Sequence, residues 1–591
     1  MKRILSCLLI IVLCLGLIPT AAQPAEETSI TKEALLAALY EADIASLRQA
    51  IDLGLISCEE LTSYYLARIE AYNAPYKCFI TLCDDALEIA RQRDAAIADG
   101  TAEGTLFGIP IVIKDNINLA GYPTTNGHKK DDSQIVDTNA RIVEYLLAEG
   151  AVIIGKTNMS TDAQSGRDTI SQAVGQTKNA YSLSMSAAGS SGGSAVATSL
   201  NFAAAAIGTD TNSSLRLPAA FAGCVSLRGT HGLISNSGVT KLNGTRDIPG
   251  AITRNVYDQA ILLDALTGGV YGYTENLNGN ALQGLRIGVL KELAYPVSGQ
   301  SGRGQSVWDS EVAAAFELAL QQLRDCGAEV VAVSMPKIFS LSSATMTDHS
   351  AEKKAALYAA FEAMLTEYDV AAVVFPSYVT APLRAGRDAE GKYWDVWEQT
   401  FTANCTVLSP SASLPEITLP MGLHSLGCGM GLEIATRKNG EQLLLDIAYT
   451  YTNAGDHRIL PEAAPNTYAE FFDGTLPQLI QRHLQQQVPP TTEPTPPETT
   501  APTVPETEPI APPTTVPAPP TTAPVPPTTR PLSPETTRPA PPETTVLPPA
   551  TAPQPTDPQP KPASAVLTPI VFTAAIAAWI VVFWLLFRRK K

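Results

Sequence analysis

AAGSSGGSAVATSLNFAAAAIGTDTNSSLRLP, from Ala187 to Pro218, decides how the rest of the chain is read. It holds two polar turns, Gly189-Ser190-Ser191-Gly192-Gly193-Ser194 and Gly208-Thr209-Asp210-Thr211-Asn212-Ser213-Ser214. Between them, the small and apolar residues Ala195 to Ile207 predict a short helix followed by a buried strand. A helix packed on its own strand returns the chain close to where it left, so the two hydroxyl-rich turns meet. This is a way to build a serine active site.

The same alternation of helix and strand extends on both sides. Thr31 to Tyr72 is helical in pattern, and Ser57-Cys58-Glu59-Glu60 has capping-box spacing, with Leu61, Tyr64, Tyr65 and Ile69 on one face beyond it. A second helix is expected from Asp84 to about Ala98. Gly108 to Ile113 is an apolar strand that delivers Lys114-Asp115-Asn116 at its end. A helix around Ala140–Glu149, a strand at Ala151–Ile154 and then Lys156 complete a parallel-looking unit. Strands at Leu285–Leu290, Glu329–Val333 and Val370–Pro376, a helix from Asp309 to Cys326 and an apolar run from Ile417 to Gly422 point to one large α/β sheet. Without an internal repeat, 27–485 reads as one domain.

The two ends read differently. Residues 1–22 have the basic start, apolar run and small-residue exit of a secretory signal peptide. Residues 488–562, rich in Pro, Thr and Glu, cannot bury a core and are expected to form an extended, disordered stalk. Val566 to Phe587 is uncharged and apolar, and its 22 residues would span about 33 Å as a transmembrane helix. The basic tail 588–591 marks the cytoplasmic side, which places the main domain outside the cell, anchored in the membrane. The net charge of −17 argues against a nucleic-acid partner, since phosphate binding needs a basic face. Seven cysteines remain after the signal peptide, an odd number without metal spacing, so core or free thiols are expected.

Three serine-based readings follow from the residues. Gly189-Ser190-Ser191-Gly192-Gly193 fits the nucleophile-elbow pattern, but His128, His231, His424 and His457 sit in loop-like contexts without a clear Asp partner. A phosphate-cradling loop at a helix start is the second, without the Gly-Lys-Ser/Thr that would follow it. The third uses a lysine whose burial lowers its pKa, and Lys114 is placed for that at a strand end.

Gly108-Ile109-Pro110-Ile111-Val112-Ile113-Lys114-Asp115-Asn116, Gly155-Lys156-Thr157-Asn158-Met159, Gly189 to Ser194 and Gly208 to Arg216 together resemble the amidase signature family. That family includes fatty-acid amide hydrolase, peptide amidases and the amidase subunit of tRNA-dependent amidotransferases. The resemblance covers nearly all of 27–485, including Leu414 to Gly422. It implies an α/β fold with a large mixed β-sheet covered by helices on both faces. It also implies a linear-amide hydrolase with no metal or organic cofactor, acting on a small-molecule or peptide amide. By motif, Lys114 matches the base, Ser190 the bridging serine after a cis peptide, and Ser214 the nucleophile. The backbone N–H groups of Thr211, Asn212, Ser213 and Ser214 match the oxyanion hole. Lys156 reads as structural, Asp210 and Arg216 as an ion pair bracing the turn, and Asp115 as a positioning group.

Two departures stand out. Asn212-Ser213 replaces the family's Gly-Gly, and Ala187-Ala188 replaces Pro-Gly. If either of the first pair needed positive φ, Ser would be strained there and Asn less so. The alternative to an amidase is therefore a surface binding or adhesion protein that kept the fold and lost turnover.

Overall fold

The computed structural model describes residues 30–129, 135–295, 308–386, 395–455 and 457–487, which all fall within one compact unit of the chain. The predicted signal peptide, stalk, membrane span and basic tail lie outside the described residues. Among the described residues, no helix is long and apolar enough to cross a membrane.

The helical pattern from Thr31 to Tyr72 resolves into three helices, because the chain turns at Glu41 and Gly54, both with positive φ. Each helix has its own cap. Thr31 caps Lys32–Ala38, Asp43 caps Ile44–Asp52, and Ser57 caps Cys58–Tyr72 in a reciprocal capping box with Glu60. Such caps satisfy N–H groups that have no partner within the helix, each worth about 1 kcal/mol. Leu61, Tyr64, Tyr65 and Ile69 are all buried against the main core.

The sheet has eleven strands. In chain order they are β1 (Phe79–Leu82), β2 (Pro110–Lys114), β3 (Val152–Thr157), β4 (Ala205–Asp210), β5 (Val225–Arg228) and β6 (Ile248–Thr253), then β7 (Arg286–Leu290), β8 (Glu329–Val333), β9 (Ala372–Pro376), β10 (Glu416–His424) and β11 (Cys428–Thr436). Across the sheet the order is β1-β3-β2-β4-β6-β5-β10-β11-β9-β7-β8. β3, β2 and β4 run parallel, as do β9, β7 and β8, and the pairs between these two groups are antiparallel. Every residue of β2, β3, β4, β6 and β11 is buried, so both faces of the central sheet are covered. The edge strands β1 and β8 carry exposed residues.

Register decides which way the two strand-end lysines point. β2 pairs with β3 so that Ile113 lies beside Lys156 and Lys114 beside Thr157. Side chains alternate along a strand, so Lys114 and Lys156 leave the sheet on opposite faces. Thr157, on the Lys114 face, meets Ser194 of the helix Gly192–Ser199, their hydroxyls 2.7 Å apart. That helix follows the first polar turn and packs on β2, β3, β4 and β6.

Candidate active site

The first turn is built by close approach. A side chain at Gly189 would collide with the Asp168 carbonyl, one at Gly192 with Thr169, and one at Gly193 with the backbone of Asn158. Gly208 does the same in β4, where a Cβ would lie 2.8 Å from Ser191 Oγ and 2.9 Å from a Leu215 methyl. Without a side chain there, the residues after each turn close over the same strand. The Gly189–Ser190 peptide is cis, as the resemblance implies.

Lys114, at the end of β2, is fully buried. Its Nζ lies 2.7 Å from Ser190 Oγ, 2.9 Å from Ser191 Oγ and 2.9 Å from Thr209 Oγ1. Ser191 also donates to the Thr209 carbonyl at 3.1 Å, so its hydroxyl meets Lys114 as an acceptor. No carboxylate touches the amine among the described residues. Burial brings Lys114 down to about 7, against the opposing pull of Asp210 and Asp247. Burial thus makes the neutral, proton-accepting form of the amine accessible near neutral pH.

Ser214 lies in the second turn, between β4 and the helix Arg216–Phe221, and is buried, with a hydroxyl that has no hydrogen-bond partner among the described residues. The backbone N–H groups of Thr211, Asn212, Ser213 and Ser214 likewise take no acceptor among the described residues. The turn is braced instead through its carbonyl oxygens and side chains. Arg216, fully buried, lies 3.2 Å from the Asp210 carboxylate, donates to the Asn212 carbonyl at 2.7 Å and pairs with Glu416. Arg228 reaches the same Asp210 carboxylate at 3.0 Å and the Asp210 carbonyl at 2.6 Å. Burial works against the Asp210 charge, but Arg216 and Arg228 together hold its carboxyl below the usual range. Thr211 Oγ1 donates to Asp247 at 2.6 Å.

Both departures acquire a physical account. Neither Asn212 nor Ser213 has positive φ, so the condition under which Ser213 would be strained is not met. The left-handed residue is Ala188, at φ 51°, in the Ala-Ala that precedes the first turn.

Lys156 leaves the opposite face of the sheet. It donates to the Pro123 carbonyl at 2.6 Å and to Thr124 Oγ1 at 2.8 Å, and lies 3.6 Å from Asp115. Asp115 accepts from Thr125 and Gly127, so it braces a loop and does not touch Lys114. Two histidines do have acidic partners, contrary to the sequence expectation: His128 with Asp162 at 2.8 Å and His424 with Asp309 at 3.2 Å. Neither bonds Ser190, Ser191 or Ser214, so these two histidines form no Ser–His pair with them among the described residues. The seven described cysteines are free, six of them buried.

Ser191 and Thr209 escaped the sequence reading as partners of Lys114, although both stand inside the quoted motifs. Arg228, Arg246, which donates to Asn212 Oδ1 at 2.8 Å, and Glu416, which pairs with Arg216, escaped it too, because they come from distant strands and loops.

The family model described as Amidase matches residues 60–357. A glutamyl-tRNA(Gln) amidotransferase subunit from Thermoanaerobacter pseudethanolicus is 30% identical over 495 residues, covering 72% of this chain and 99% of the relative. The chain belongs to the amidase signature family. It is an amidase-type hydrolase of carbon–nitrogen bonds. The corresponding amidotransferase protein of Caldanaerobacter subterraneus is 36% identical over 312 residues, which is 51% of this chain and 61% of that relative. Among solved structures, native peptide amidase from Stenotrophomonas maltophilia aligns with a TM-score of 0.61 and 28% identity, covering 73% of this amidase and 100% of that chain. An amidase family protein from Bacillus anthracis aligns at 0.60 and 25%, covering 74% and 96%.

Proposed function

We propose that the protein is an exported amidase, tethered to the membrane by its C-terminal segment, that hydrolyses a small-molecule or peptide amide through an acyl-enzyme on Ser214. The observation that carries this reading is the fully buried Lys114 amine 2.7 Å from Ser190 Oγ, without a carboxylate contact among the described residues. Neutral Lys114 accepts the Ser190 proton as Ser190 accepts that of Ser214, and Ser214 Oγ attacks the carbonyl carbon. The carbonyl oxygen, now negative, meets the free N–H groups of the second turn. The same path returns a proton to the leaving amine as the C–N bond breaks. Water then attacks the ester, giving up its proton along the reverse route, and the carboxylic acid departs. Export and tethering rest on the character of residues 1–22 and 488–591. The relatives named for tRNA-dependent amidotransfer support the chemistry, but that role belongs with tRNA charging inside the cell, away from an exported domain.

The test is a fluorophosphonate probe on the purified domain, with mapping of the modified peptide. Modification at Ser214 is expected, lost in Ser214→Ala and strongly slowed in Lys114→Ala. Absence of modification, together with no amine or ammonia release from a panel of fatty, peptide and aryl amides, would leave the binding-protein reading in its place.

A further inference from the structure

Asn212 is held at both ends by arginines. Arg216 takes its backbone carbonyl, and Arg246 Nη1 donates to its side-chain Oδ1 at 2.8 Å. A guanidinium has donors only, so Arg246 fixes which end of the amide faces it. The oxygen turns toward Arg246, and Nδ2 with its two hydrogens is left without an acceptor among the described residues. Asparagine is often placed where the backbone is left-handed, but Asn212 is not, so that reason for its presence is excluded.

Arg246 is an unusual orienting group. It is 2% exposed and has no carboxylate within ion-pair distance among the described residues. Its other terminal nitrogen donates to the carbonyl and hydroxyl of Thr345, at 3.1 and 3.0 Å, and its buried Nε has no acceptor among the described residues. Arg228 holds the Arg246 carbonyl at 2.7 Å, which ties this residue to the bracing of the second turn. A desolvated cation without a counter-ion costs stability. Here its field falls on an amide oxygen, which polarises that amide and strengthens its N–H donors.

We propose that the Asn212 side-chain amide, oriented and polarised by Arg246, is a further hydrogen-bond donor to the substrate carbonyl oxygen as that oxygen becomes negative. Arg246 is then a positioning residue that acts through Asn212. The inference rests on Ser214 being the nucleophile. A glycine at position 212 offers only a backbone N–H to such an oxygen, whereas asparagine adds a side-chain donor.

The experiment measures the second-order rate of fluorophosphonate modification at Ser214, and kcat and KM on the best amide of the panel, in Asn212→Gly, Asn212→Asp, Arg246→Met and the double variant Asn212→Gly/Arg246→Met. Loss of one such donor lowers kcat by about 100-fold. Asn212→Gly and Asn212→Asp are expected to fall by that order in kcat and in modification rate, with KM little changed. Arg246→Met should fall similarly in the native background and add almost nothing in the Asn212→Gly background. Wild-type rates in Asn212→Gly, an effect on KM alone, or additive losses in the double variant would overturn the inference. If Arg246→Met does not fold, the two Asn212 variants decide the matter alone. Should the native protein itself remain unmodified at Ser214, the nucleophile assignment fails first, which separates the two outcomes.

Discussion

Lys114 and Lys156 end neighbouring parallel strands, are both completely buried, and both follow apolar runs. Burial lowers both, Lys114 to about 7 and Lys156 to about 8. They differ in what they face. Lys114 meets three hydroxyls, groups that can give up a proton or accept one. Lys156 meets a carbonyl oxygen, a hydroxyl and the Asp115 carboxylate, two of which can only accept. A lysine pinned by a carbonyl and a carboxylate is held as a donor, so its lone pair is of no use to a neighbour. Burial alone therefore does not make a base. A one-residue difference in register sends these two side chains to opposite faces, and the partners on each face decide their roles.

The sharpest way to break this comparison is to remove each lysine in turn. Lys114→Ala is expected to lower kcat/KM on an amide by about 1000-fold, the scale of a lost general base, with the folded domain retained by circular dichroism. Lys156→Met should do the reverse. It leaves Asp115 buried without its cation, so the variant should lose about 3 kcal/mol in a urea titration while kcat per folded molecule stays near native. Equal losses of activity in the two variants would erase the distinction.

The pH dependence sharpens it further. kcat/KM should rise about tenfold per unit up to about pH 7 and then level, because only neutral Lys114 acts as base. Stability carries the same signature. Since the folded-state value near 7 lies below the ordinary 10.5, the unfolded chain binds the extra proton between those values, and stability rises with pH across that window. A Lys114→Met variant lacks this term, so its stability advantage should be greatest below about pH 7 and shrink toward pH 10, as denaturant titrations at several pH values would show. The smallest effect concerns the residue before the turn that supplies two of the three hydroxyl partners of Lys114. Ala188→Gly relieves a left-handed alanine and should raise stability by about 1 kcal/mol, leaving the activity profile of Lys114 unchanged.

Local signals carried a good part of this architecture. The capping box at Ser57, the strand that ends in Lys114 and the helix–strand unit between the two turns are all set by neighbours in sequence, and the structure has each of them. The strands β5 and β11 were not readable in the same way. Val225–Arg228 is four residues long and ends in a buried arginine, and Cys428–Thr436 includes two glycines and the buried Glu433. Only pairing with β10 makes sense of these residues, and pairing is not a local property. The site divides likewise. Lys114, Ser190 and Ser214 stand in ordered motifs, whereas Arg228 and Arg246 reach the second turn, and Glu416 its bracing Arg216, from separate parts of the fold. Whether Asn212-Ser213 takes positive φ was not legible for a similar reason: φ at a turn depends on the groups that brace it, here Arg216 and Arg246, and those are set by the tertiary fold.

The free cysteines have a practical meaning. Six are shut inside the domain, and burial raises the thiols of Cys78, Cys405 and Cys428 well above the usual range. None of the described cysteines is cross-linked, so reductant should leave this part of the fold intact. Each thiol is instead a silent reporter: an alkylating reagent reaches it only when its own region opens. Timed alkylation of Cys78 near the β1 edge and Cys428 in the central sheet would thus rank which parts of the domain loosen first.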